Sequence, residues 1–572
     1  MKVNKLEKSY KRKICIFALL VSIFSLIYCI AIGSNKQIWF CDEVYTFESA
    51  NLPGKSSPFL LENTWITGKD IQEYFSAEEY SPHFIEINEH LWPDHVPLYF
   101  WCIRIMSILF YDSCSPMIGI WVNALIFAAF SFWFTVRICQ LLHKWLAPEE
   151  ITGKSAGIVS MMVMFIIIAI FLWMQETVFQ IVFTIRPYIL LLSLSVMLLY
   201  EYTLFILRPY NDTSGNQKQI VKDIIKLTFL VVAGLLSHYH FWVLFSLCGL
   251  LTWIICLCKK QWKKARLLVL HAICSIGITT CLFPQWIHNL FMGKGNISQR
   301  SILTTEFWIP GFMKALEKMT VNIFPWANIP WYLIWGINIV IFYCAFSLML
   351  KRKHYDYLKA VIWMCIEVWS YTVLVSIATT YLNEGRYFWL SQAIYALIIY
   401  VLLGYTIVNG IICLGKKNED ISGRNESIIL KIQTYISTAF LLLLVVFSFI
   451  KIQSENNLYV LKGTGNEELM QSVSGMPWVV YTDGIDWKDY CSAYDFMYAE
   501  NICFIPNSAS QMNNDLHLPN DKEAIIFVKE ETYEDAVTYF RNCLGKEVKS
   551  TKIGDSMYLD VYHFEFLSEA MN

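Results

Sequence analysis

Apolar residues in this chain come in runs of about twenty, separated by short polar connections, rather than in the one-faced or alternating patterns of a water-soluble fold. The first run, Ile14 to Ile32, follows Lys5, Lys8, Lys11, Arg12 and Lys13. It is too long for a signal-peptide core and no small-residue cleavage site follows, so it is read as an uncleaved anchor. Further runs continue to Ile450 and predict a polytopic α-helical membrane protein of about 11–13 spans. Residues 35–96 form a polar loop rich in Glu, Asp, His, Pro and Trp, with short interfacial helices expected around Ile71 to Glu79.

From Lys451 the pattern changes. Trp478 to Tyr481, Cys503 to Pro506 and Ala524 to Val528 read as short strands, and Tyr533 to Leu544 as an amphipathic helix. Residues 1–450 are therefore expected to form a transmembrane module that includes the loop 35–96, and residues 451–572 a small α/β domain.

Charge adds a direction. Basic residues cluster at the N-terminus, at Arg208 with Lys218, Lys222 and Lys226, at Lys259 to Arg266, at Lys351 to Lys359 and at Lys416 to Arg424. By the positive-inside rule these connections are cytoplasmic. The loop 35–96, Ser237-His238-Tyr239-His240, the stretch from about His288 to Thr320, Asn383-Glu384-Gly385-Arg386 and the C-terminal domain then fall outside. Arg186 belongs on the outer face as well, because the span after it must run inward to reach Arg208. Both Val96 to Tyr111 and Met117 to Leu142 look like spans, and counting both leaves the parity wrong for Arg186. Either one is re-entrant, or Arg137 and Lys144 lie outside against the rule.

Composition agrees with a membrane protein: 56% of the 572 residues are hydrophobic and only 16% charged. The aromatic content suits interfacial belts and also sugar or lipid contact surfaces. Most of the cysteines lie inside apolar runs, where the residue behaves as a small hydrophobe, and no paired Cys-x-x-Cys supports a zinc or redox motif.

The candidate chemistry sits at the outer boundary. Asp42 and Glu43 are adjacent carboxylates just after the first span, either part of a substrate pathway or solvated among headgroups. Asp94 and His95 open the apolar run that contains Tyr99; they suit acid–base work or a divalent ion, or are simply solvated. Arg186, followed by Pro187 and Tyr188, and Arg386, followed by Tyr387, suit a phosphate or carboxylate gripped by two parallel hydrogen bonds. Taken singly, each arginine also fits snorkelling to lipid headgroups. With His238 and His240 they make a basic ring facing acidic residues.

The ordered set resembles a known family. The carboxylate pair after span one, His95-Val96-Pro97-Leu98-Tyr99-Phe100, Arg186-Pro187-Tyr188, Ser237 to Phe241 and Gly385-Arg386-Tyr387-Phe388 are similar to motifs of the bacterial protein-mannosyltransferase-like branch of the GT-C membrane glycosyltransferases. The resemblance covers residues 10 to 415 and rests on short motifs whose order is more specific than any one of them. It implies transfer of a sugar, with inversion, from a polyprenyl-phosphate donor to an envelope acceptor: protein, polymer or glycolipid. It also implies that Asp42 is the general base, with Glu43 orienting the acceptor or supporting Asp42. Arg186, Arg386, His238 and His240 would meet the donor phosphate, and Asp94, His95, Tyr99 and Tyr188 would contact substrate. The family's usual His-Pro-Pro is His95-Val96-Pro97 here, which leaves the geometry of that loop open.

No cofactor is required by these motifs. A divalent metal stays open through Glu78, Glu79, Glu86, Glu89 and Asp94, which equally suit a solvated acidic face. No glycine-rich phosphate loop or nucleotide-sugar fingerprint is evident, and the expected partners are the lipid-linked donor, the acceptor and the bilayer, not nucleic acid. The competing class is a transporter or flippase for a lipid or polar solute, which predicts charges near mid-span and related halves. A membrane-anchored sensor would leave the many spans unexplained.

Overall fold

The computed structural model describes residues 2–567 except 37–38, 52–56, 78–83, 92–94, 111–114, 146–153, 209–213, most of 288–329, 379–384, 416–423, 453–460, 462–466, 483–490, 507–517 and 521. Among the described residues eight helices are long and apolar enough to cross a bilayer: Lys11–Gly33, Pro116–Leu141, Tyr188–Leu207, Tyr239–Cys258, Trp262–Leu282, Trp331–Lys351, Tyr355–Ser376 and Arg386–Ile412. At about 1.5 Å per residue each matches or exceeds a hydrocarbon core of about 30 Å. Arg386–Ile412 is the most deeply enclosed of them and forms the axis of the bundle.

Ser160–Met174 and Glu176–Phe183 make a ninth if they are one span, bent by 47°. The bend has a local cause. Ile170–Met174 is a π-helical turn, and Gln175 behind it is extended and uses its side-chain carbonyl to accept from Val178 N at 2.7 Å. Two other helices fall short of the same standard. Ser214–Leu235 carries Lys222, Asp223 and Lys226 around its middle, and the apolar part of Arg424–Ile452 is only Lys431–Phe447.

Leu98–Leu109, within the first of the two apolar runs after the loop, is a helix of 12 residues and about 18 Å, too short to cross. Only Pro116–Leu141 spans there. Its first turn packs on the end of the first helix, where a Cβ on Gly33 would lie 2.4 Å from Ile120, and a Cβ on Gly119 would lie 2.2 Å from Ile185. Arg186 thus shares an end of the bundle with Asp42, and Arg137 lies towards the other end.

Over that first end sits a six-stranded sheet in the order β1-β3-β2-β4-β6-β5. The strands are β1 (Trp65–Ile66), β2 (Pro477–Thr482), β3 (Asn501–Pro506), β4 (Glu523–Val528), β5 (Glu547–Ser556) and β6 (Leu559–Leu567). β2 runs parallel to β3 and β4, while β1 pairs antiparallel with β3, Trp65 opposite Cys503. The loop 35–96 therefore contributes an edge strand to the C-terminal sheet.

Alternation along the central strands explains how the sheet is buried on both faces. Val479, Tyr481, Ile526 and Val528 pack with Ala536 and Phe540 of the Tyr533–Leu544 helix. Trp478, Val480, Phe504 and Phe527 turn the other way and join Trp39, Phe47, Phe59 and Phe75 of the loop 35–96. Trp39 stacks on Phe47 at 4.4 Å between centroids, and Phe59 meets Phe504 edge-on at 5.1 Å.

The loop's own helix, Gly68–Phe75, starts with a capping box between Thr67 and Asp70. Gly68 is needed there because any Cβ would lie 2.3 Å from the main-chain oxygen of Met497, while its N–H donates to Ala499 O at 2.8 Å.

Candidate functional site

Asp42 and Glu43 occupy the first turn of the Cys41–Asn51 helix, where carboxylates are favoured by the helix dipole. Their surroundings separate them. The Glu43 carboxylate is fully buried and accepts from Phe40 N at 2.9 Å, Ile185 N at 2.8 Å and Lys36 Nζ at 2.9 Å. Lys36 is equally buried, its ammonium also lying 5.1 Å from the centroid of the Phe40 ring. Burial lowers the Lys36 pKa, and Glu43 acts in the opposite direction. Glu43 is a framework group that ties the helix start to the turn before Arg186.

The same turn is held from behind. Asn123, an amide in the apolar first half of Pro116–Leu141, donates to Val182 O and Thr184 O, both at 2.8 Å, and accepts from Tyr99 Oη at 2.7 Å. Arg186 closes the clasp by donating to the Asp42 main-chain carbonyl at 2.9 Å and to Thr46 Oγ1 at 3.4 Å. Its buried Nε has no hydrogen-bond partner among the described residues.

The Asp42 carboxylate is the part left accessible. It forms an ion pair with the Arg386 guanidinium, the two side chains retaining 27% and 32% exposure. Arg386 belongs to the short 3-10 turn Gly385–Phe388 and lies 5.5 Å from the Tyr387 ring centroid.

Imidazoles and aromatic rings continue the wall. His238 caps the Tyr239–Cys258 helix, its Nδ1 accepting from His240 N at 3.0 Å, so the proton of the neutral ring is on Nε2. The His238 and His240 rings are 4.7 Å apart, Tyr188 lies 5.6 Å from His238, and His240 lies 5.8 Å from Tyr387. Burial, then the positive neighbours His240, Arg186 and His95, hold His238 well below its usual pKa. Burial and then Arg186 push His95 down to about 3. These two imidazoles are therefore neutral at pH 7, and the fixed positive charge of the wall comes from the arginines.

The C-terminal domain reaches the same place. The thiols of Cys41 and Cys491 are hydrogen-bonded, and Tyr494 lies 5.4 Å from Trp39. The Cys491 contact, then Tyr45, Arg186 and Arg386, outweigh burial and lower the Cys41 pKa.

Of the residues singled out in the sequence, Asp42, Arg186, Arg386, His95, His238, His240 and Tyr188 thus meet at one end of the bundle. Glu43 and Tyr99 stand behind them as framework, and Asp94 lies outside the described residues. Lys36, Thr46, Asn123, Cys41 and Cys491 complete the arrangement and were not foreseen. Only Asn123, a single amide in an apolar run, carried a signal that pointed to it.

Among the described residues no three His, Cys, Asp or Glu side chains are grouped so that they can hold a metal ion. Glu78, Glu79 and Asp94 lie outside those residues, as does most of the stretch from His288 to Thr320. No family model matches the chain, and a search of curated proteins finds no match.

Proposed function

We propose that the protein is an integral-membrane glycosyltransferase that moves a sugar from a polyprenyl-phosphate donor to an envelope acceptor on the outer face, inverting the anomeric carbon. The observation that carries this reading is the accessible Asp42 carboxylate paired with Arg386 beside Arg186 and a wall of aromatic rings. In the proposed step the acceptor oxygen attacks the anomeric carbon, its proton passes to Asp42, and the bond from that carbon to the phosphate oxygen breaks. The polyprenyl phosphate leaves with its charge held by Arg386.

A donor phosphate competes with Asp42 for the guanidinium, so binding the donor frees the base. Arg186, fixed on the Asp42 main chain, acts as a positioning residue, and Glu43 fixes the turn that carries it. In this reading the bent Ser160–Phe183 segment, Ser214–Leu235 and Arg424–Ile452 also cross the membrane. That gives eleven spans, a cytoplasmic N-terminus and an outer C-terminal domain, the arrangement the basic connections favour.

One observation favours a transporter or flippase instead: Glu367 is fully buried within Tyr355–Ser376, and inside the same bundle Tyr202 and Thr228 contact the two ring nitrogens of His271 at 3.3 and 2.9 Å. Membranes supplied with labelled polyprenyl-phosphate sugar separate the two. Asp42→Asn is expected to lower transfer by about 10²–10⁴-fold, and Arg386→Ala to weaken donor use by about tenfold. Undiminished transfer in Asp42→Asn removes the base, and label that crosses the bilayer without becoming attached to any acceptor establishes the alternative.

A further inference from the structure

The opposite end of the bundle from Asp42 holds a second, unrelated cavity of about 590 Å³. Its wall is built from helix ends: Arg137 and Gln140 of Pro116–Leu141, Tyr200 and Arg208 at the end of Tyr188–Leu207, Lys353 and His354 between Trp331–Lys351 and Tyr355–Ser376, and the Asp356 carboxylate in the first turn of the latter. Next to it, sharing Leu207, is a largely apolar gap of about 250 Å³ lined by Ile206, Ile255, Ala360 and Trp363, with Thr203, Lys259 and Lys359 also on its wall. A basic chamber opening beside an apolar slot between membrane helices has the shape of an amphiphile with an anionic head.

The cations of the chamber fall into two groups. Arg208 is already neutralised by Asp223, and His354 is engaged through Nδ1 with Tyr405 Oη at 2.7 Å. The chamber's own carboxylate, Asp356, pairs with Lys359 at 3.8 Å, and Arg137 and Lys353 have no ion-pair partner among the described residues. Arg137 is held in place without being neutralised: its guanidinium lies 5.1 Å from the Tyr200 ring and 5.8 Å from Trp133, it donates to Gln140 Oε1 at 2.9 Å, and its buried Nε is unpartnered. A preorganised guanidinium with spare donors is suited to a phosphate, and basic pockets between helices at a cytoplasmic face are suited to anionic headgroups. Lys353, on an exposed turn with φ +57°, adds a second charge at the rim.

We propose that these two cavities together bind a lipid phosphate, the phosphate group against Arg137 and Lys353 and the first carbons of the chain in the slot beside Trp363. The ligand is recognised by chemistry common to an anionic phospholipid and a polyprenyl phosphate. The site is remote from Asp42 and does not depend on the transfer reaction.

The test uses the full-length protein, purified and delipidated in a neutral detergent, with fluorescent phosphatidylglycerol as the probe. Unlabelled phosphatidylglycerol, a polyprenyl phosphate, phosphatidylcholine and inorganic phosphate are the competitors. Saturable binding is expected, displaced by phosphatidylglycerol or by polyprenyl phosphate; whichever acts at lower concentration names the source. Arg137→Gln is expected to weaken binding by about tenfold. Lys353→Asn, which tolerates the left-handed turn and removes no packed group, should weaken it several-fold without altering the melting temperature. Binding equal to the parent's in both basic-site variants, or displacement by inorganic phosphate or phosphatidylcholine at the concentrations that suffice for phosphatidylglycerol, would overturn the proposal.

Discussion

Replacing Lys36 by Met removes one member of an ion pair whose two side chains have no exposure at all. At 2.9 Å and an effective dielectric constant of about 20, the gross attraction is about 6 kcal/mol. Desolvating each ion costs several kcal/mol, so the intact pair contributes little net stability. Breaking it is a different matter, because Glu43 is left charged and buried with only the Phe40 and Ile185 N–H groups to satisfy it. Lys36→Met is therefore expected to cost about 3–5 kcal/mol.

Adding Glu43→Gln to that variant removes the stranded charge and leaves about one N–H unsatisfied, a cost of about 1–3 kcal/mol. The double variant should thus be more stable than Lys36→Met alone. Thermal unfolding in detergent, followed by the fluorescence of the 21 tryptophans, measures this directly. The melting temperature should fall on the order of 5 °C for Lys36→Met and recover part of the way in the double variant. Additive losses, with no recovery, refute the claim that the two charges compensate each other.

Acid should destabilise the end of the bundle that carries His95. His95 has a folded-state pKa of about 3 against 6.5 when unfolded, so the unfolded chain binds more protons between those values; its contribution is complete above pH 6.5 and is lost as the pH falls towards 3. At pH 5 the loss is about 2 kcal/mol, and His95→Gln should flatten the dependence of melting temperature on pH between 7 and 5. Gly68→Ala forces a Cβ onto the Met497 main chain and should cost about 1–3 kcal/mol of thermal stability; an unchanged melting temperature would mean that the loop and the C-terminal sheet yield easily. Diamide treatment should join Cys41 to Cys491, protecting two thiols from maleimide, and Cys491→Ser should abolish that protection.

How much of this could be read from the chain depends on how local each determinant is. The spans declare themselves because crossing a bilayer requires about twenty apolar residues in one run. β2, β3 and β4 are short, β-branched and apolar, and the Tyr533–Leu544 helix is amphipathic, ending at Gly545 with φ +61°. The β5–β6 hairpin escaped notice because β5 is a half-exposed strand rich in Lys, Ser and Asp, with a register shift between Lys552 and Gly554. β1 escaped because two residues have no period. The Leu98–Leu109 segment is as apolar as a span and differs only in where it stops. At the site, only the family resemblance set Asp42 apart as the base and Glu43 as its support; the residues themselves are two adjacent carboxylates. What divides them is Lys36, six and seven residues earlier, and the Ile185 amide far along the chain, neither of which leaves a motif.

The strand that the loop 35–96 lends to the C-terminal sheet sets the order in which the protein can be completed. Trp65 pairs with Cys503, roughly 440 positions later. At about 5–20 residues per second, the loop waits on the order of a minute during synthesis before its partner strand exists. Through that interval Trp39, Phe59 and Phe75 lack the aromatic surface that finally covers them. The end of the bundle that carries Asp42 is therefore closed only after nearly the whole chain has been made, and a chain interrupted before β3 cannot finish it.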